Sequence, residues 1–440
     1  MSNWAQINNR PSDSRRNKLA AAEIKSTLFD TAGDLKLTRK HRPDYLMVVL
    51  MIVLSFIGVV ILFSITPALT GGDNDASTKF MLKQGMFLVA GLVSFFVASR
   101  VPLDFWRRHG SKFFVVALII CFMVPIMGAL KIPPAYCTLG ACRWISLGGL
   151  GTFQPAEFLK FGTVLFTAGF LAIRCARGEL NSYRKTLLPL GVVTLASLFV
   201  LAIMQKDLGT SISLAAIVLV QLIVAGLETR KLMAILGAGA GLAVLSIIVA
   251  PHRMARIATF FGQGDATADY HINQAMIALG SGGLTGRGLG QSVQAFGWLP
   301  EAIHDSIFAV LGESLGFLGL LVIIALFGLL LRQIISKVDY IENIYLRLIV
   351  AGVFSWIAAH VVLNIGAMTH LIPLTGITLP LVSIGGTSML FIMTSLGLVF
   401  AISHYTMHRK VKAEGSSEDA NPVSGRRFGR SRYADRSRLR

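Results

Sequence analysis

Ten runs of mostly apolar residues, set apart by polar stretches, occupy the chain between residues 45 and 403. A helix apolar on every side, rather than along one stripe, is a membrane span, and roughly 20 residues cross a bilayer core. The pattern predicts spans at 45–66, 84–99, 113–130, 155–173, 186–203, 210–227, 232–250, 305–331, 348–365 and 389–403. The longest connection, 251–304, is polar and rich in glycine, and loops of that length in a compact fold usually serve function. The expected fold is all-α: a polytopic membrane protein of about ten transmembrane helices, with a large extracytoplasmic loop between helices 7 and 8. Residues 44–403 make up the membrane domain, between basic, disordered tails at 1–43 and 404–440.

Composition supports this reading: 54% of residues are hydrophobic, 15% are charged, and mean hydropathy is +0.65. Of 41 Lys and Arg residues, nine precede residue 44 and ten follow residue 403. Ten spans put both tails on one side, and 32 of the 41 cations fall there. Positive charges beside helix ends stay cytoplasmic, so both termini are expected inside. The net charge of +18 then belongs to cations that face anionic membrane lipids, and no nucleic-acid partner is implied. The long polar N-tail does not resemble a cleavable signal peptide.

Ionisable groups at helix mouths are costly to keep and therefore informative. The segment 298–313 places Glu301, His304 and Asp305 where the eighth span begins. Glu313 follows roughly 12 Å deeper, where it requires a polar partner. In a helix, Glu301 and Asp305 share a face and their repulsion raises one pKa. Asp305 also suits an N-cap. Upstream, Gln154-Pro-Ala-Glu157 opens the fourth span, and Glu157 and Lys160 stand at i, i+3. That pair reads as a local ion pair or, with Arg143, as part of a basic pocket for phosphate. Asp207, in the short turn before the sixth span, either caps that helix or faces a ligand.

The long loop contains Tyr270-His-Ile-Asn-Gln274 and Gly280-Ser-Gly-Gly-Leu-Thr-Gly-Arg-Gly-Leu-Gly290. These glycines admit close approach to a ligand or another helix, but the Gly-Lys-Ser/Thr ending of a nucleotide loop is missing. Cys137 and Cys142 share one outside loop, where a small disulfide or two thiols are both open; Cys121 and Cys175 read as free thiols. No set of metal-ligand spacing is evident.

Several of these segments, in order, resemble one known family. They are Arg143-Trp144 with Gln154-Pro-Ala-Glu157; Asp207-Leu-Gly-Thr210; and Ser281-Gly-Gly-Leu284 through Leu299-Pro-Glu-Ala302 to Asp305. Asn364-Ile-Gly366, Pro373, Leu379-Pro380 and Ser383-Ile-Gly-Gly386 complete the set. The chain is identified as resembling the SEDS proteins (shape, elongation, division and sporulation) from about residue 45 to 403. Three departures stand out: Pro300-Glu-Ala-Ile-His-Asp305 in place of Pro-Glu-Ala-His-Thr-Asp, Lys206 for a proline, and Ile384 for a tyrosine.

The resemblance implies a peptidoglycan glycosyltransferase that polymerises lipid II on the outer face of the bacterial cytoplasmic (inner) membrane, releasing undecaprenyl pyrophosphate. Asp305 falls on the family's essential aspartate and would take the proton of the attacking sugar hydroxyl. Arg143, Lys160 and Arg287, in that order, are the cations expected beside the leaving group. Glu157, Gln154, Glu301, Asp207 and Gln274 join them as substrate-binding candidates. A divalent cation, Mg or Mn, is the one cofactor to consider, and its ligands are unknown. Implied partners are lipid II and the growing lipid-linked glycan, a class B penicillin-binding protein transpeptidase and other divisome proteins. Thr378-Leu-Pro380 and the basic tails lean towards the septal branch (FtsW-like) over the elongation branch (RodA-like). The competing classes are a lipid or solute transporter, against which the absence of an inverted repeat argues, and a division scaffold.

Overall fold

The computed structural model describes residues 44–405 apart from 72, 139, 249–250, 262–265 and 384. The tails at 1–43 and 406–440, and Ile384, lie outside the described residues. Among those described, ten helices are long and apolar enough to cross a membrane, as the hydropathy pattern predicts. In chain order the helices are α1 Tyr45–Leu69, α2 Asn74–Arg100, α3 Leu103–Ala129, α4 Pro155–Ala176, α5 Leu188–Phe199, α6 Leu208–Ala225, α7 Thr229–Ile248, α8 Pro251–Phe260, α9 Ala266–Ser281, α10 Ile307–Ile335, α11 Ile344–Met368 and α12 Gly386–Ser403. α5 continues at both ends into π-helical turns, Tyr183–Leu187 and Val200–Met204.

Two features add to the hydropathy pattern. The stretch 251–304 carries α8 and α9. The connection between α3 and α4 forms a small antiparallel sheet, β1 Ala135–Thr138, β2 Ala141–Ser146 and β3 Thr152–Phe153, ordered β1-β2-β3. Cys137 faces Cys142 across β1 and β2, and the two are joined by a disulfide. Cys121 and Cys175 are free.

α4, α12 and α11 are the most deeply enclosed helices, and α7 has no buried residue. In lipid, helices gain nothing by hiding apolar surface from water, so close packing and interhelical hydrogen bonds hold them. Gln221 of α6 shows this: its amide donates to the carbonyls of Val164 on α4 and Leu348 on α11, each at 3.0 Å, and accepts from Thr167. A Cβ on Gly397 of α12 would stand 2.3 Å from the Phe95 carbonyl oxygen of α2, so glycine allows that helix pair to touch.

The glycine-rich run 282–290 packs against a helix, one of the two options open from sequence. α10 breaks at Gly316 (φ 69°, ψ −172°), which strands main-chain donors and acceptors where lipid cannot satisfy them. The run supplies the partners. Arg287 N and Gly288 N donate to the carbonyls of Glu313 and Ser314, while Phe317 N and Leu318 N donate to those of Gly283 and Leu284. Glu313 is fully buried and has the polar partners its depth demands: Ser292 Oγ at 2.5 Å, Val293 N at 2.9 Å and Gln294 N at 3.2 Å.

Candidate functional site

Asp305 lies two residues before the start of α10. The eighth span begins at Ile307 with Ser306 in the N-cap position, so Asp305 is neither the cap nor a helical residue. Residues 301–305 form turns and Glu301 has φ 50°, so the expected helical stacking of Glu301 on Asp305 is absent. Their repulsion is nonetheless present. Burial first, and the Glu301 carboxylate second, push the Asp305 carboxyl up from 3.8 to about 7, against the pull of its hydrogen bonds and of Arg256.

Four segments converge on this half-buried carboxylate. The first is the 300–306 turn itself. The second is α8, whose Arg256 interacts electrostatically with Asp305, Asp207 and Arg143 and donates through Nη1 to the Leu374 carbonyl at 3.0 Å. The third is 374–377, where a Cβ on Gly376 would be 3.8 Å from Asp305 Oδ2. The fourth is the start of α6, where Gly209 lets the helix close on Thr375 and Ile377. Asn364 of α11 ties them from beneath, donating through Nδ2 to the main-chain carbonyls of Asp305 and Ile377, each at 2.7 Å.

Burial, then the neighbouring Arg143, lower the pKa of Arg256, while Asp305 and Asp207 raise it. At neutral pH the guanidinium keeps its proton, and the like charges repel. An anion entering between them would relieve that repulsion.

The sequence-derived candidates fare differently. Asp207 caps α6, accepting from Thr210 N at 3.0 Å and Thr210 Oγ1 at 2.9 Å, and it also sits in the field of Arg256. Arg143 reaches over the neighbouring turn, donating to the carbonyls of Gln205 at 2.8 Å and Lys206 at 2.7 Å. Glu301 is exposed beside Asp305; Gln274 is half-buried on α9, one turn beyond His271. Gln154 is half-buried at the start of α4, and its main-chain N–H donates to Thr387 Oγ1 at 3.3 Å.

Two expected pocket cations are paired with carboxylates. Lys160 is fully buried within the helix bundle, with Nζ 2.8 Å from Glu157 Oε1, 2.7 Å from His360 Nε2 and 5.1 Å from the centre of a Trp356 ring. Glu157 and Lys160 form the local ion pair. A buried ammonium demands such partners, and it has them. Arg287 is held by Glu313, 3.8 Å away, and by the Ser281 carbonyl.

Three residues escaped sequence reading. Arg256 looked like one more loop cation, and only the fold of α8 brings it to Asp305. His271 Nε2 lies 2.7 Å from Ser306 Oγ, which also lies 2.9 Å from the Pro300 carbonyl and 3.4 Å from Asp305 Oδ1. His360 packs against Lys160 across a separation of 200 residues, which no local motif reveals.

The chain matches the family model FTSW_RODA_SPOVE, cell cycle protein, over residues 44–408. It is 32% identical over 376 residues to the stage V sporulation protein E of Bacillus subtilis, covering 84% of this chain and 100% of that protein. With a probable peptidoglycan glycosyltransferase FtsW of Thiomicrospira cyclica it shares 33% identity over 391 residues, covering 87% and 97%. Among solved structures it is similar to the rod shape determining protein RodA of Thermus thermophilus, with a TM-score of 0.59 at 25% identity over 82% of this chain and 96% of that one. A similar fold, with a TM-score of 0.66 at 23% identity over 82% and 97% of the two chains, occurs in a peptidoglycan synthase complex that coordinates polymerization and crosslinking. A family match over nearly all the described residues, with the ten-helix fold to accompany it, places this chain in the FtsW/RodA/SpoVE (SEDS) family of multi-pass membrane proteins.

Proposed function

We propose that the chain is a peptidoglycan glycosyltransferase that polymerises lipid II at the outer face of the bacterial cytoplasmic membrane. The observation that carries this is the half-buried Asp305 carboxyl, raised to about 7, with Arg256 beside it at a helix mouth. An acceptor sugar hydroxyl attacks the anomeric carbon of the donor. Its proton passes to Asp305 while the bond to the pyrophosphate breaks and the electron pair leaves with the phosphate oxygen. A base whose pKa lies near the working pH is both available and strong enough for this step.

Charge that develops on the leaving group in a dry rim is best met by cations already in place. Arg256, with Arg143 behind it, takes that part, because Lys160 and Arg287 are engaged by buried carboxylates. A divalent cation, Mg or Mn, would add neutralising charge at the pyrophosphate. Among the described residues no group of three His, Cys, Asp or Glu side chains is placed to hold one, so substrate oxygens and water would furnish most of its ligands.

The FtsW relatives and the basic tails support a septal role with both termini cytoplasmic. The fold shared with a chain of a polymerizing and crosslinking complex supports a class B penicillin-binding protein as partner, alongside other divisome proteins. Purified protein, its transpeptidase partner and lipid II test the activity: glycan polymer should form with the native chain and vanish with Asp305→Asn. Undiminished polymer from that variant rejects the assigned base, and no polymer from the native chain favours a transporter or scaffold. Fluorescent fusions at midcell or along the side wall separate septal from elongation roles.

A further inference from the structure

A hydrogen-bonded chain leads away from Asp305 that base catalysis alone leaves unused. Ser306 is fully buried, with Oγ 3.4 Å from Asp305 Oδ1 and 2.7 Å from Nε2 of His271, a half-exposed residue of α9. A serine hydroxyl has one proton and two lone pairs, so it can accept from one neighbour while donating to the other. The Pro300 carbonyl, 2.9 Å away, takes the hydroxyl proton when His271 carries its hydrogen on Nε2; with that hydrogen on Nδ1, the Nε2 lone pair accepts it instead.

We propose that Ser306 and His271 form the proton exit of Asp305, which resets the base between successive sugar additions. The inference rests on Asp305 being that base. Once the acceptor proton has passed to Asp305, the donor and acceptor lipids cover the rim and close its direct path to water. The Asp305 carboxylic acid then donates to Ser306 Oγ as the Ser306 proton passes to the lone pair of His271 Nε2. Carboxylate and hydroxyl are restored, and the imidazolium gives one proton to water. No other reactant is consumed.

The charges around His271 suit a transient acceptor. Burial and Arg256 of α8 hold the imidazole below its usual pKa, while Glu301 of the 300–306 turn works in the opposite direction. The ring is therefore neutral at pH 7, offers a lone pair and readily sheds a proton it has gained. Among the described residues, Asp305 is reached through Ser306, and His304 of the same turn stands 4.0 Å from Glu301.

The test uses the full chain with its transpeptidase partner and lipid II. His271→Gln retains an amide able to bond Ser306 but cannot carry a proton, and Ser306→Ala interrupts the path itself. Both should lower kcat by about tenfold to a hundredfold with KM for lipid II little changed, a range ordinary for proton transfer by a placed group. The double variant should be no slower than the slower single one, because both act on one path. Added imidazole should restore the rate of His271→Gln in proportion to its concentration. A His271→Gln protein with native kcat and pH profile overturns the proposal, as does a slow variant that imidazole leaves slow or that has lost thermal stability in proportion. If Asp305→Asn stays active, the base assignment falls instead; if it is dead while His271→Gln is native, the exit alone is wrong.

Discussion

Asn364 donates from one side-chain nitrogen to the main-chain carbonyl of Asp305 and to that of Ile377, each at 2.7 Å. Both amide protons are used, so two edges of the rim are set at a fixed spacing while the Asp305 carboxylate stays available. Asn364→Leu would take this donor from one buried and one half-buried carbonyl, at about 1–3 kcal/mol for the buried one. The expected outcome is a melting temperature several degrees lower in detergent and loss of polymer at temperatures where the variant remains folded.

Asp305 carries a cost that its replacement should remove. Its carboxyl is raised from 3.8 to about 7 in the folded protein, so the native state binds this proton more tightly than the unfolded chain does. Stability is therefore unaffected below about pH 4, declines between there and pH 7, and is lowest above. Discounted for partial exposure, the cost at pH 8 is on the order of 1–2 kcal/mol. Asp305→Asn should melt higher than the native chain at pH 8 and level with it at pH 4. In the native enzyme, the polymerisation rate should fall as pH drops through 7.

Arg256 opposes the rise of the Asp305 pKa. Arg256→Ala should consequently move the midpoint of the pH–rate profile upwards, and lower kcat by roughly 100-fold through lost charge stabilisation. Arg256→Lys should return part of the rate and most of the midpoint. Steady-state polymerisation from pH 5.5 to 9 checks both; an unmoved midpoint in Arg256→Ala would separate this guanidinium from the base.

The buried pair Glu157 and Lys160 should act on stability. Lys160→Met alone leaves a buried carboxylate without its cation, at about 3–5 kcal/mol, whereas Glu157→Leu with Lys160→Met removes both charges and should recover most of that loss. A thermal double-mutant cycle reads the coupling. Recovery of folding without recovery of polymer would return these residues to the reaction.

Gly286 has φ 80°, and a Cβ there would stand 2.3 Å from the Ser314 carbonyl oxygen. Main chain cannot swing aside as a side-chain tip can. Gly286→Ala should detach the glycine-rich run from the break in α10 and unbind Arg287 N and Gly288 N, with loss of folded protein on size-exclusion chromatography.

The ten spans, the polar partners that Glu313 requires and the cap at Asp207 could all be read along the chain. Each follows from a local rule: an apolar run long enough for the bilayer, a charge too deep to stand alone, a side chain able to close a helix end. Tertiary structure decided which cation meets Asp305. Lys160 follows Glu157 by one turn at the head of α4, yet helix packing sends it to His360; Arg256 lies in an undistinguished stretch, yet α8 folds back over the 374–377 segment and delivers it to the rim. The same holds for His271 with Ser306 and for Asn364 with Asp305, contacts between residues far apart in the chain. Hydropathy depends on each residue's own neighbours and survives in one dimension, whereas the pairing of charges depends on how helices stack, and that is settled by small residues and shared hydrogen bonds summed over the whole bundle.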